Sequence, residues 1–199
     1  MSAFPLPPAS AHLAAGDLRP EVPASGTGLA LLGVGEPDFA TPQPIVQAGL
    51  DALTAGWTHN GDLNGDPELR ELAAEIAGNV SSHPFRPGQV LVTSGATSGV
   101  SIAVAATVSP GDQVVLLDPS YSLFASSVLA AGGEPVYVPL DETGHLDLDR
   151  LDIALTSARA IIVVNPANPI GTVFRKGRTR AARRTHHQAQ QRRDRRRSL

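Results

Sequence analysis

Residues 113–140, QVVLLDPSYSLFASSVLAAGGEPVYVPL, carry the pattern that decides the fold. Gln113 to Asp118 is a continuous apolar run of strand length, and Ser120 to Ala131 is long enough for a helix, which the glycine pair after it would end. Pro135 to Leu140 is again apolar and has the length of a strand. A strand, a helix and another strand in this order predict one unit of an α/β sheet.

The same alternation extends to both sides of this stretch. Gln89 to Thr93 is predicted to be a strand, and Ala96 to Val108 is so nearly all apolar that it predicts a buried helix. Downstream, Asp147 to Thr156 predicts a helix with a polar face, and Ala160 to Asn165 predicts a further strand. Apolar strands that alternate with helices predict an α/β domain whose mostly parallel sheet is covered by helices on both faces.

Two helices are predicted upstream of this alternation. Thr41 is expected to cap the first, which runs to about Ala55. Asp66-Pro67-Glu68 combines a capping side chain, a proline for the first helical position and an acid near the positive end of the dipole, so it predicts the start of the second. That helix is expected to end at Gly78. The positions predicted to form its apolar face are Leu69, Leu72, Ala73 and Ile76.

Composition excludes several classes of protein. The 199 residues are 42% hydrophobic, which suits a domain with a hydrophobic core. The chain has no cysteine, so disulfides and thiolate-bound metals are excluded, and the histidines and acidic residues suggest no metal site. The longest apolar run, Val100 to Val108, is too short to cross a membrane, and the N-terminus has no signal-peptide pattern. A cytoplasmic location is therefore expected.

Charge divides the chain near residue 175. Residues 1–174 contain five arginines, no lysine and eighteen acidic residues, for a net charge of −13, whereas residues 175–199 carry a net charge of +10. Residues 1–28 are rich in Pro, Ala and Ser and have no hydrophobic periodicity. We therefore predict an N-terminal arm over 1–28, a domain over 29–174 and an Arg-rich, disordered tail over 175–199.

Ligands of α/β sheets bind at the carboxyl ends of the strands, where this chain has three candidate junctions. Residues 93–97 lead into a helix, and their small side chains suit an anion at the positive end of its dipole. Tyr121 follows a predicted strand and could stack on an aromatic ring. Residues 165–171 contain two Asn-Pro steps, which predict a rigid loop and permit a cis proline. Taken singly, the three could also be a packing turn, a half-buried surface tyrosine and a plain turn.

Five motifs together resemble the pyridoxal 5′-phosphate (PLP) dependent aminotransferases of class I and II. They are a GEPDF opening at residues 35–39 with Thr-Pro after it, a G-x-PELR helix start at 65–70, the turn at 93–97, a DPxY at 118–121 and the Asn-Pro loop at 165–171. Their order and spacing agree with the family over roughly residues 29–174. The resemblance implies the large domain of the aspartate-aminotransferase fold (fold type I), in incomplete form.

The resemblance also implies roles for particular residues. The turn Gly95-Ala96-Thr97 would hold the phosphate of PLP. Tyr121 would stack on the pyridine ring, and Asn168 would hydrogen-bond the phenolic oxygen of that ring. Gly35 would lie where the substrate carboxylate binds.

The catalytic residues of the family have no counterpart in this chain. The family's Schiff-base lysine lies in a Ser-x-x-Lys segment, and an aspartate at the pyridine nitrogen and an arginine for the substrate carboxylate accompany it. Lys176 is the sole lysine here and directly follows the Asn-Pro loop, so we expect it to be an exposed cation. Because PLP chemistry depends on the lysine, we predict no catalytic residue, and the chain is expected to be inactive and to bind PLP weakly or not at all.

The function implied by the resemblance is transfer of an amino group between an amino acid and a 2-oxo acid, by an enzyme that is usually a homodimer. We expect truncation or a frameshift near residue 175, because up to that point every cap, strand end and turn agrees with one fold. The alternative is a non-enzymatic protein that binds nucleic acid through its Arg-rich tail. The tail lacks aromatic residues for base stacking, and the net charge of −13 over residues 1–174 would repel phosphates, which disfavours that alternative.

Overall fold

A computed structural model describes residues 35, 37, 39–81 and 83–174. The predicted arm over 1–28, the tail with Lys176, and Glu36 and Asp38 of the opening motif lie outside the described residues. The described chain forms two compact units, the first up to Thr93 and the second from Ser94 onward. In the part of the chain that the structure describes, no helix is long and apolar enough to cross a membrane.

The first unit begins with helix α1, Gln43–Thr54. Pro42 occupies the position before the helix and makes no side-chain hydrogen bond to it, so the prediction that Thr41 caps the helix is wrong. Two prolines restrict the backbone at the entrance, Pro42 and Pro44, and the helix therefore begins one residue later than a Thr41 cap would place it. The predicted end at about Ala55 is confirmed.

Helix α2, Pro67–Ser81, begins where the sequence predicts. The Asp66 carboxylate accepts a hydrogen bond from the Leu69 N–H at 3.0 Å, which caps the first turn. The predicted end at Gly78 is wrong, because Gly78 does not take the left-handed conformation that ends helices at glycine. Instead, the carbonyl oxygen of Gly78 accepts a bond from His83 as the chain turns back.

The apolar face predicted for α2 is largely exposed. Leu69, Leu72 and Ile76 lie on the surface, and the buried residue of the helix is Ala74. The spacing of these side chains is helical, as predicted, but no described element of this unit covers them.

The strand predicted at Gln89 to Thr93 is wrong. Pro87–Gln89 is a turn of 3-10 helix, and no described strand pairs with the residues that follow. Val90 has extended backbone angles of −109° and 130°, and Val92 donates its N–H to the Asn64 carbonyl oxygen at 2.9 Å. The local preference for extended backbone is present, but a strand also needs a neighbour to complete its ladder.

The second unit contains a parallel sheet of three strands. They are β1, Gln113–Asp118, β2, Glu134–Pro139, and β3, Ala160–Ile162, in the spatial order β2-β1-β3. β1 has the predicted bounds and β2 lies one residue earlier than predicted. β3 stops at Ile162, opposite Leu116, because its ladder to β1 ends there although the apolar run continues to Val164.

Helices α3, Gly95–Thr107, α4, Leu123–Ala130, and α5, Leu148–Leu155, accompany this sheet. The side chains of β1 alternate between two hydrophobic clusters. Val114 and Leu116 pack with residues of α3 and α4, and Val115 and Leu117 pack with residues of α5. The α/β prediction, with helices on both faces of a parallel sheet, is therefore confirmed for this unit.

The ends of these helices follow local chemistry. The Asp147 carboxylate accepts a hydrogen bond from the Arg150 N–H at 3.1 Å and caps α5. α4 begins at Leu123, three residues after the predicted Ser120, because residues 119–121 still belong to the junction after β1. Gly132 closes α4 with a positive φ of 78°, as the glycine pair predicts.

Burial of α3 differs from the prediction. Its inner side packs into the core through Val104, and the Ser101 and Ser127 hydroxyls hydrogen-bond at 2.9 Å between α3 and α4. Its outer side is exposed, including Ile102 at 47%. A helix that is apolar all round is buried only where elements lie on every side of it, and the described residues of this unit cover one side.

Candidate functional site

Two of the predicted site segments follow neighbouring strands at the same edge of the sheet. β1 and β3 are parallel and hydrogen-bonded neighbours. Tyr121 comes three residues after the end of β1, and the Asn-Pro loop begins at Asn165, three residues after the end of β3. Because carboxyl ends of parallel strands share one edge, Tyr121 and the loop lie at the same end of this unit.

Helix α3 is anchored at the opposite edge of the sheet through its C-terminus. Its last residue, Thr107, accepts a hydrogen bond on its carbonyl oxygen from the Arg159 Nε at 3.0 Å, and Arg159 directly precedes β3. The C-terminus of α3 is therefore fixed at the amino edge of the sheet. Thirteen helical residues span about 20 Å, which is the length of a six-residue strand such as β1, so α3 is long enough to bring Gly95 to the carboxyl edge.

The turn at the start of α3 has the backbone geometry of an anion site. Gly95 has φ 81°, a left-handed conformation that other residues adopt at a cost, and an added Cβ would meet no atom within 4 Å. Ala96 and Thr97 are exposed, and the Ser94 side chain makes no capping hydrogen bond. The first turn of a helix presents backbone N–H groups at the positive end of the dipole, which suits a phosphate.

Tyr121 is half-buried beside α3, the helix that begins at this turn. Its ring packs edge to face with Phe124, with centroids 5.5 Å apart and planes at 75°, and it belongs to the fringe of the core formed by α3 and α4. The Tyr121 carbonyl oxygen also accepts a hydrogen bond from the Phe124 N–H at 3.1 Å. Packing against Phe124 therefore holds one side of the Tyr121 ring, and part of the ring is accessible at the surface.

The Asn-Pro loop is closed by hydrogen bonds across its base. Both Asn-Pro bonds, Asn165-Pro166 and Asn168-Pro169, are cis, which confirms that the loop contains cis proline. The Asn165 side chain pairs with the backbone of Phe174, and the Ala167 N–H donates to the Thr172 carbonyl oxygen at 2.8 Å. Asn168 lies at the exposed tip, next to buried Ala167. The resemblance assigns a role to Asn168 alone, and the structural role of Asn165 was not predicted.

Comparison with known proteins agrees with this geometry. A family model described as aminotransferase class I and II matches residues 27–185. A probable aspartate aminotransferase of Streptomyces griseus is 34% identical over 168 residues, which cover 83% of this chain and 79% of that protein. The chain belongs to this family.

Longer relatives show the same relationship. The aspartate aminotransferase of Pyrococcus abyssi is 38% identical over 151 residues, or 73% of this chain and 38% of that protein. The structure of aspartate aminotransferase from Thermus thermophilus with maleate has a TM-score of 0.76 and 32% identity, and the match covers 79% of this chain and 42% of that one. The chain therefore spans about two fifths of the length of these aminotransferases, and the incomplete α/β domain has the aspartate-aminotransferase fold.

The other candidates for a site in this aminotransferase chain are weaker. Among the described residues, no group of three or more His, Cys, Asp or Glu side chains could hold a metal. A shallow depression beside the start of α5 has a volume of about 330 Å³, and its lining includes Asp141, Asp147 and Asp149. Three carboxylates would repel a phosphate, so the turn at Gly95 is the better anion site. Gly35 is exposed and belongs to the first unit, and its predicted role stays a prediction.

Proposed function

We propose that this chain carries the phosphate and ring contacts of a PLP-dependent aminotransferase site. Gly95, Ala96 and Thr97 would bind the phosphate of PLP, Tyr121 would stack on its pyridine ring, and Asn168 would donate to its phenolic oxygen. One observation supports this most strongly: the C-terminus of α3 is bonded at the amino edge of the sheet, and the helix is long enough to bring Gly95 to the edge that carries Tyr121 and the Asn-Pro loop.

The residues present fit the cofactor in chemical terms. A phosphate suits the exposed amide-rich turn at Ala96 and Thr97, which the positive φ of Gly95 shapes. An aromatic ring suits Tyr121, and a phenolate suits the exposed amide of Asn168. When bound, PLP supplies an electron sink for substrate carbanions, and the protein supplies binding and orientation. The contribution of these residues is therefore to hold the phosphate and fix the plane of the ring.

The whole enzyme would transfer an amino group between an amino acid and a 2-oxo acid. Aspartate is the first amino acid to test, because the Pyrococcus and Thermus relatives are aspartate aminotransferases. We propose a homodimer in the cytoplasm, with the enzyme-derived domain at residues 29–174, the arm at 1–28 and the Arg-rich tail at 175–199. Gly35 would lie at the substrate carboxylate.

The test measures non-covalent binding of pyridoxine 5′-phosphate to the full chain by calorimetry. This probe has the phosphate and ring of PLP but no aldehyde, so it cannot react with an amine. Gly95→Ala is expected to weaken binding about tenfold, which corresponds to one lost hydrogen bond to a charged group.

Gly111→Ala is the matched control. Gly111 has φ 82° and, like Gly95, no atom within 4 Å of an added Cβ, so both variants carry similar backbone strain. Gly111 lies before β1, at the opposite edge of the sheet, and its variant should leave the dissociation constant unchanged. We expect the unaltered chain to bind the probe weakly, because the lysine on which the family's PLP chemistry depends has no counterpart in it. Equal effects of the two substitutions, or no binding by the unaltered chain, would contradict the proposal.

A further inference from the structure

The Asn165 side chain pairs with the backbone as a strand would. Its Nδ2 donates to the Phe174 carbonyl oxygen at 3.1 Å, and its Oδ1 accepts from the Phe174 N–H at 2.8 Å. The ladder between β1 and β3 ends at Ile162, so this amide supplies a pairing that no strand among the described residues provides at this point. Phe174 is 2% exposed and packs in the cluster beneath α5, which makes it a firm partner.

The pairing joins the two ends of the loop that carries Asn168. Within the loop, the Gly171 N–H donates to the Ala167 carbonyl oxygen at 2.6 Å, and the Ala167 N–H donates to the Thr172 carbonyl oxygen at 2.8 Å. Ala167 is buried in the same cluster as Phe174. Asn168 therefore extends from a loop whose base is fixed on both sides.

A second loop supports the same segment from outside. A Cβ placed on Gly144 would lie 3.2 Å from the Thr172 Oγ1 and 3.4 Å from the Ile170 Cδ1, so the two loops are in close contact. The absence of a side chain at Gly144 permits this approach. The described contacts of the Asn-Pro loop thus restrain its base and one side, while Asn168 stays exposed.

We infer that Asn165 is a positioning residue that fixes the direction of the Asn168 amide toward the ring of the cofactor. The inference rests on the proposed function, in which Asn168 contacts the phenolic oxygen. Asn165 itself faces the Phe174 backbone and acts through the loop. Removing its amide leaves the Phe174 N–H and carbonyl oxygen without these partners, and the loop then opens at its base.

Hydrogen exchange of the full chain, measured without any ligand, tests whether the Asn165 amide holds the base of the loop. Asn165→Ala should raise exchange at the Phe174 amide and also at the Ala167 and Gly171 amides, which are bonded elsewhere in the loop. Asn79→Ala, at an exposed helical position, is the control and should leave these amides unchanged. Unchanged exchange at Ala167 and Gly171 in Asn165→Ala would overturn the inference.

Asn165→Asp provides a second variant if the alanine variant does not fold. It keeps an acceptor for the Phe174 N–H but has no donor for the Phe174 carbonyl oxygen. Exchange of the three amides should then lie between that of the unaltered chain and that of the alanine variant. The same low exchange as in the unaltered chain would count against the inference.

A double-mutant cycle on pyridoxine 5′-phosphate binding tests whether Asn165 affects binding through Asn168. Asn168→Ala and Asn165→Ala should each weaken binding about fivefold, as expected for one hydrogen bond, and the double variant should be no weaker than either single variant. A purely structural role of Asn165 would instead weaken binding equally whether or not Asn168 is present, which would overturn the inference. If the unaltered chain binds no probe, the proposed function fails, whereas raised exchange would still show that Asn165 holds the loop.

Discussion

Leu151 and Ile153, two apolar residues on the same short helix, should differ sharply in their contribution to stability. Leu151 is 0% exposed and packs beneath the sheet with Val115 and Leu117, whereas Ile153 is 73% exposed. Leu151→Ala removes three buried carbons, worth roughly 2.4 kcal/mol at about 0.8 kcal/mol each. A residual cavity of about 50 Å³ would add roughly 1.2 kcal/mol, for a total of about 3.6 kcal/mol.

Ile153→Ala is the matched control, with an expected loss of about 0.5 kcal/mol or less. Thermal unfolding followed by near-ultraviolet circular dichroism of tyrosine reports on the second unit, because Tyr121 and Tyr137 are the two tyrosines of the chain and both lie there. The midpoint for Leu151→Ala should fall by more than about 10 °C, since a domain of this size loses roughly 4–8 °C per kcal/mol. Equal midpoints for the two variants would refute the assignment of the buried face of α5.

Two further predictions concern the basic segment. Incubation with PLP and borohydride reduction should leave no stoichiometric pyridoxyl group on Lys176, because the family's reactive lysine belongs to a later Ser-x-x-Lys segment. Peptide mass mapping measures the labelling, and full labelling of Lys176 would contradict the prediction. Any binding of the chain to DNA should lack sequence preference, weaken steeply with added salt and disappear when residues 178–199 are deleted, because nine of the eleven cations of residues 175–199 lie there. If the shortened chain bound DNA with unchanged affinity, the binding would belong to the acidic residues 1–177 instead.

The sequence predicted best where one local effect determines the structure. Four consecutive buried residues, Val114 to Leu117, define β1, and its bounds follow directly from the apolar run. Asp66 caps α2 through a side chain that bonds within its own turn, so the start of the helix can be read locally. The two cis prolines of the loop are likewise consistent with its Asn-Pro steps.

Predictions failed where the outcome depends on distant partners. Val90 is extended, but strand formation at Gln89 to Thr93 requires a neighbouring strand that the local sequence cannot specify. Ile102 is exposed although it is apolar. Its hydrophobicity could not predict this, because burial also requires another element to cover the side chain.

The candidate site shows both cases. The turn at Gly95 was recognisable from its small residues and the helix that follows. The structural role of Asn165 was not, because it depends on Phe174, nine residues along the chain.

Because β1 lies at the centre of the sheet, its pairings with β2 and β3 close loops of different lengths and cost different amounts of chain entropy. Pairing Gln113 with Glu134 closes a loop of 21 residues, whereas pairing Val114 with Ala160 closes one of 46 residues. The longer closure costs about 0.7 kcal/mol more in chain entropy. β1 and β2, joined by α4, are therefore the less costly first pair. Until β3 is added, one edge of β1, the most buried strand of this sheet, carries unpaired N–H and carbonyl groups that another chain could bind.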